Sequence, residues 1–513
     1  MSNENIDPVF QLVKSLTRSE KRHFRLTTSR GPGEDLKFLQ LFDALDNQNV
    51  YNDEKILSQV PSIKRSQLAN LKANLYKHLL SSLRLYQSNQ NPDIQLHEQL
   101  DYARVLYNKG FYQQSLKMLE KVKVAAQQAE LQHIALAAID FEKLIESQYI
   151  TRSLRGRAES LSEEAMKLAK RVSLTHELSN VALGLYGLYL KLGHARNLED
   201  YKNITAFFKS SLPETNISKG SFFEKLYYYQ SHVWYYNILL NFKACYRYAQ
   251  KWVDLFEENP GMKHKQSTHY IKGLHNLLAS LYNLLYYSRF KDVLQKLEDF
   301  ANDESRRTNP NIELLLFQYI YTNRINVHFM QGTFSEGVKL VPELLEKLKE
   351  FQPQLDSHRM LVFYFKIASL YFGSGDNQMC IHYLNKIIHY KDTSLREDLQ
   401  CFARILNLIA HYEAGEDESL EYQIKSVYRF LGKMNDQQQM QVEIFRFLRN
   451  LGNIAPHELK DAFVSLRNKL SAIAENPFER RPFLYLDILS WLDSKIENLP
   501  VQEIMHRRHH QLK

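Results

Sequence analysis

The chain has 513 residues, 44% of them hydrophobic, with only 17 Gly and 13 Pro. So few breakers, no Asn-Gly or Asp-Gly hairpin signal and no sustained alternation exclude a sheet-built fold. Its 66 basic and 58 acidic residues leave a formal charge of +8, a bias compatible with an acidic partner but not requiring one. Three Cys exclude a disulfide framework.

MSNENIDPVF has neither a basic n-region nor an apolar h-region, so no signal peptide is expected. The longest apolar runs, such as Leu361 to Phe365, are far shorter than a membrane span. The expectation is a soluble protein of a reducing cytoplasm, with no membrane insertion.

Asp7-Pro8 reads as a helix start, Asp capping and Pro at the first helical position. Phe10, Val13 and Leu16 follow at helical spacing. Thr17-Arg18-Ser19-Glu20 has capping-box form and opens a second helix, on which Arg18, Arg22 and Arg25 share one face beside Lys21. Gly31-Pro32-Gly33 stops it, and with no strand before it this is a turn rather than a phosphate loop. Two short helices follow, near 35–45 and 53–60. A longer one over 62–86 carries Leu68, Leu71, Leu75, Leu79 and Leu83 as a core-facing stripe. Its charges are all basic: Lys64, Arg65, Lys72, Lys77 and Arg84. The polar breaker Ser88 to Pro92 is the first domain boundary.

From there one phrase recurs. Asn108 to Val124, NKGFYQQSLKMLEKVKV, has a turn at Lys109-Gly110, then an aromatic, then Ser115, Leu119 and Val122 on one helix face. The small residue lets two helices approach and the larger ones fill the groove between pairs. Gly332 leads likewise to Gly337, Val341 and Leu344; Gly375 to Cys380, Leu384 and Ile387; Gly415 to Leu420, Ile424 and Val427. Two copies lack the glycine: Phe242 leads to Cys245, Ala249 and Trp252, and Phe290 to Val293, Leu297 and Phe300. Weaker copies sit at Ala165/Ala169 and Leu192-Gly193. Turn equivalents at 110, 160, 193, 240, 288, 332, 375 and 415 recur about every 44 residues, in the helical-repeat range.

This phrase resembles the turn and second helix of a tetratricopeptide repeat over roughly Asp93 to Met434. The intervals are irregular, and Ala holds the small position only at Ala165. The N-terminal SLTRSEKRHFRL is similar to the start of some uncharacterised bacterial helical-repeat proteins. The resemblance implies an all-α fold: a right-handed α-solenoid of helix hairpins with elongated repeats. The expected organisation is an N-terminal basic helical domain (1–90), the repeats (91–454), and a C-terminal helical cap with a basic tail (455–513). The cap helices carry Phe463, Leu466, Leu470 and Ile473, then Tyr485, Ile488, Leu492 and Ile496, after a change of pattern at Gly452-Asn453 and Pro456. The tail, His506 to His510, reads as mobile.

No catalytic, cofactor or metal constellation is legible. His176-Glu177 and His457-Glu458 lack a second His four residues after the first, and neither GxxxxGK[ST] nor GxSxG occurs. Cys245 and Cys380 fall on the small-residue position, and Cys401 lies in a helical run, so all three read as core. A non-enzymatic interaction scaffold for a protein or peptide partner is the expectation, and a nucleic-acid-associated regulator is the alternative. Two surfaces are candidates. One is the basic set Arg18, Lys21, Arg22, Arg25, Lys72, Lys77 and Arg84, which could meet phosphates. The other lies in 222–240, a segment apolar on two sides, where Tyr228, His232 and Tyr235 are left over and could face a groove.

Overall fold

The computed structural model describes residues 7–28, 34–88, 91–148, 156–303, 309–352, 354–390, 397–415, 424–425, 427, 439–450, 454–455, 457–480, 483 and 487–511. The expected turn at Gly31 to Gly33, the repeat position Leu420, Gly452-Asn453, Pro456 and Tyr485 lie outside them. Among the described residues the chain is helical, with no strand. It divides into two compact units, 1–173 and 174–513.

The first unit holds α1 (Pro8–Ser15), α2 (Arg18–Thr28), α3 (Glu34–Asp46), α4 (Asp53–Gln59), α5 (Arg65–Ser88), α6 (Pro92–Asn108), α7 (Tyr112–Gln128) and α8 (Gln132–Glu146). Local chemistry starts α1 and α2 as the sequence implies. Asp7 Oδ1 accepts from Val9 N and Phe10 N, both at 3.0 Å. Thr17 N donates to Glu20 Oε2 at 2.8 Å and Glu20 N to Thr17 Oγ1 at 3.3 Å, completing the capping box. On α5, Leu68, Leu75 and Leu79 are buried against Phe24, Leu41 and Phe42. Ser115 is buried where α7 crosses α6 and donates to Ala103 O at 2.8 Å. Here the small side chain both permits the approach and satisfies its own hydroxyl.

Helix α9 runs unbroken over Arg157–Leu192, so the weak copy at Ala165/Ala169 and the turn expected at 160 do not make a separate hairpin, whereas Gly193 ends the helix at φ 70° where a turn was expected. Ala165 and Leu168 are buried on it, which is why an apolar repeat pattern was legible there. The division between units falls inside this helix.

The second unit continues with α10 (Leu198–Ser211), α11 (Phe222–Ile238), α12 (Phe242–Glu257), α13 (Pro260–Lys265), α14 (Ser267–Asn283), α15 (Tyr287–Asn302), α16 (Pro310–Gln331), α17 (Phe334–Val338), α18 (Val341–Phe351), α19 (Ser357–Ser374), α20 (Asn377–Ile388), α21 (Glu397–Glu413), α22 (Gln439–Asn450), α23 (Leu459–Glu475), α24 (Ile488–Glu497) and α25 (Val501–Gln511). Successive helices pack as hairpins: α11 on α12, α14 on α15, α16 on α17, and α19 on α20. The first helices also meet one another, α14 with α16, α16 with α19, and α19 with α21.

Each of these hairpins turns on one left-handed residue. These are Leu240, Leu285, Gly332 and Gly375, with Gly415 following α21. Two turns hold leucine at φ 55° and 56°, where glycine would carry no Cβ penalty. The turn expected at 288 therefore lies at Leu285. Small residues make the close contacts. A Cβ on Gly337 would meet Leu370 Cδ2 at 2.6 Å, and one on Gly273 would meet Trp252 at 3.0 Å. Cys245, Cys380 and Cys401 are buried, and among the described residues none is in a disulfide.

The basic tail is not free. Residues 501–511 form α25, which packs on α16 and α19. Ser335 N donates to Gln502 Oε1 at 2.8 Å, and His506 Nδ1 lies 3.1 Å from Gln331 O. Arg508 pairs with Asp493. Trp491 Nε1 and Lys495 Nζ both bond Glu413, at 2.7 Å. Ile504 buries the apolar side of a helix whose sequence shows mostly charge, which is why composition alone suggested mobility.

Candidate functional site

On α11 the three residues singled out from sequence do not share an open face. Tyr235 is 8% exposed. It stacks flat on Phe208 at 4.1 Å, its hydroxyl 3.2 Å from Thr205 Oγ1. His232 is 5% exposed. Its ring stacks on Tyr248 at 4.1 Å, and its Nδ1 lies 2.8 Å from Tyr228 O. Burial lowers its pKa to about 4, so it is neutral near pH 7. Tyr228 is half-buried against the same ring, at 4.2 Å. These side chains join α11 to α10 and α12.

The adjacent line on α11 points elsewhere. Tyr227 meets His269 of α14 edge-on at 6.0 Å, and Trp234 meets Tyr186 and Tyr189 of α9 at 5.1 and 5.3 Å. From sequence these two belonged to an apolar stripe. A one-residue shift moves a side chain about 100° around a helix, and nothing in the local pattern distinguishes the two lines.

The line continues along the first helices of the following hairpins. His275 of α14 stacks on Tyr319 of α16 at 3.8 Å, the two rings nearly parallel. Lys366 of α19 donates to Asn326 Oδ1 on α16 at 2.7 Å and lies 5.3 Å from the Phe329 ring. Asn326 Nδ2 donates to Asn323 Oδ1 at 3.3 Å, and Asn323 Nδ2 to Tyr319 O at 2.7 Å. Lys272, His275, Tyr319, Arg359 and Lys366 each keep partial exposure.

The electrostatics of this stretch are unusual. Burial pulls the Lys366 pKa down to about 8. Burial and then repulsion from Arg359 lower that of Lys272. Burial, Lys366 and Arg359 together push His275 to about 4. Burial raises the Tyr319 hydroxyl, with Arg359 opposing. Gln230 Oε1, His269 Nδ1, His275 Nδ1 and Gln318 Nε2 are buried without a hydrogen-bond partner, and each would gain from one.

The basic N-terminal set divides in two. Lys21 pairs with Asp46 at 2.6 Å, Arg25 with Asp43 at 2.8 Å, and Lys72 with Asp7 at 2.8 Å. Burial alone would lower the Lys72 pKa, but its bonds to Asp7 and Tyr51 hold it above the ordinary lysine range. These three tie α2 and α5 to neighbouring elements. Arg18, Arg22, Lys77 and Arg84 are exposed.

A possible metal-binding cluster was not anticipated: Asp93 and His97 on α6 with His133 on α8 place ligand atoms within 4.8 Å of one another, all exposed. A cavity of about 1010 Å³ near the α12 and α15 N-termini is lined by Tyr246, Arg247, Tyr286, Arg289 and Lys291. Among the described residues no helix is long and apolar enough to cross a membrane. No family model, no curated protein and no solved structure matches the chain.

Proposed function

We propose that this protein is a non-catalytic interaction scaffold. In this reading α11 to α21 form a tetratricopeptide-like, right-handed solenoid, and the first helices of its hairpins present one groove to an extended segment of a protein partner. The observation that carries it is the run of contacts along the first helices, Tyr227 on His269, His275 on Tyr319 and Lys366 on Asn326, with Trp234 of α11 set against Tyr186 and Tyr189 of α9. Half-buried aromatic and cationic side chains in such a line offer anchor points of the kind that dominate peptide interfaces. Its unpaired buried donors and acceptors are groups that a peptide backbone would satisfy.

The test is recovery of a partner from native cells with wild type and with a Tyr227→Ala/Trp234→Ala pair, at low and high salt and with nuclease. The reading expects a protein set that survives salt and nuclease and is lost with the double variant. A set retained unchanged by that variant, or none at all, contradicts it.

A further inference from the structure

We infer that the stretch of this groove around Lys272, His275, Arg359 and Lys366 is an oxyanion site that receives a carboxylate or phosphoryl group carried by the partner segment. The inference rests on the groove reading above and names the chemistry of its ligand. Lys366 of α19 is joined through Asn326 and Asn323 to Tyr319 under the His275 ring, and the charge of Arg359 reaches both Lys272 and His275 of α14. Among the described residues no ion pair offsets Lys272 or Lys366, and Lys366 has only the neutral Asn326 amide. Arg359 has Asp356, 3.6 Å away at the N-cap of its own helix. Desolvated like charges destabilise a fold unless something compensates them. An anion is the species that would do so, and charge-assisted hydrogen bonds from lysine and arginine are strong and directional. His275 Nδ1 is an additional group without a partner at the same place. The neighbouring rings of Tyr319 and Phe329 limit water and strengthen each of these interactions.

The experiment uses the full chain and four probes at constant ionic strength. They are inorganic phosphate, a short peptide ending in Glu-Glu, its phosphoserine counterpart, and its Gln-Gln counterpart as the neutral control. Titration calorimetry is expected to detect at least one anionic probe and not the neutral one. Preference between the Glu and phosphoserine peptides identifies which oxyanion the site takes. Lys366→Met and Arg359→Gln should each weaken that binding at least tenfold. Lys366→Met removes a desolvated charge and should fold. Calorimetry in buffers of different ionisation enthalpy at about pH 8.5 adds an independent readout. An anion beside Lys366 raises the lysine's pKa, so binding takes up protons in wild type and does not in Lys366→Met. Absence of binding by all anionic probes, or binding that both variants leave unchanged, overturns the inference. Groove-dependent recovery of a partner that persists undiminished in Lys366→Met also overturns it while leaving the scaffold reading standing. Anion binding with no recoverable partner does the reverse.

Discussion

Leu285 and Cys380 show how single side chains set the hairpins. Leu285 is exposed and sits at φ 56°, a conformation that costs an L-residue roughly 1–2 kcal/mol. Leu285→Gly removes that strain but adds chain entropy, so a net gain of about 0.5–1 kcal/mol is expected. Hydrogen exchange of the 286–290 amides should slow severalfold; unchanged or faster exchange would show the turn is unstrained. Cys380 is 0% exposed, and burial raises its thiol pKa strongly. Cys380→Arg should cost about 3–5 kcal/mol by burying an unpaired charge, while Cys380→Ala stays close to wild type. Urea unfolding of the pair checks this, and an Arg variant as stable as wild type would place the residue outside the core. The cysteine positions were legible because a small residue three or four places before a larger one marks a crossing. The turn at Leu240 lies where it was expected, whereas the one at Leu285 was placed three residues late because no glycine announces it.

Lys366 extends the residue scale to pH. Its pKa in the fold is near 8 against an ordinary 10.5. Between these values the unfolded chain holds the proton and the folded chain does not, so stability rises with pH through this window. Below about 8 the full penalty of the buried charge is present. Relative to Lys366→Met, the wild type should therefore gain stability from pH 7.5 to 10 in paired urea titrations. A constant difference would mean the amine is solvated.

At the scale of elements, the joint between α25 and the α16–α17 turn can be isolated. Gly332 and Gly375 share left-handed geometry, at φ 65° and 88°. A Cβ on Gly375 meets nothing within 4 Å, whereas one on Gly332 would lie 2.5 Å from His506 N. Gly375→Ala should cost only the conformational penalty, about 1 kcal/mol. Gly332→Ala should cost more, and hydrogen exchange should rise in 501–511 as well as at the turn. Equal effects confined to each turn would mean that α25 does not rest there. The sequence foretold the helix ending near Ile496 but read His506 to His510 as a mobile tail, not as a docked helix. Docking depends on Gln502 and His506 meeting residues about 170 positions earlier, and local patterns carry no such information. By contrast, the Thr17–Glu20 capping box and the α5 leucine stripe are local, and both formed as read.

Across the whole molecule, helix spacing and turn chemistry made the all-α architecture legible, because each hairpin repeats its own local signals. Surface chemistry was less so. Of the basic N-terminal set, Lys21, Arg25 and Lys72 are paired with Asp46, Asp43 and Asp7, leaving Arg18, Arg22, Lys77 and Arg84 as exposed cations. On α11 His232 and Tyr235 are buried against Tyr248 and Phe208, and it is Tyr227 that reaches His269 of α14. Lys272 lies far in sequence from Arg359 and Lys366, and the three gave no collective signal.

The central claim is that the partner lies along the first helices. The most direct measurement is photo-cross-linking in native cells, with a benzophenone amino acid placed singly at Tyr227, at Thr322 of α16, or at the exposed Gln295 of α15. Cross-links from Tyr227 and Thr322 to one partner segment, with none from Gln295, are the expected result. A partner captured from Gln295 alone, or from all three positions without distinction, would contradict the claim.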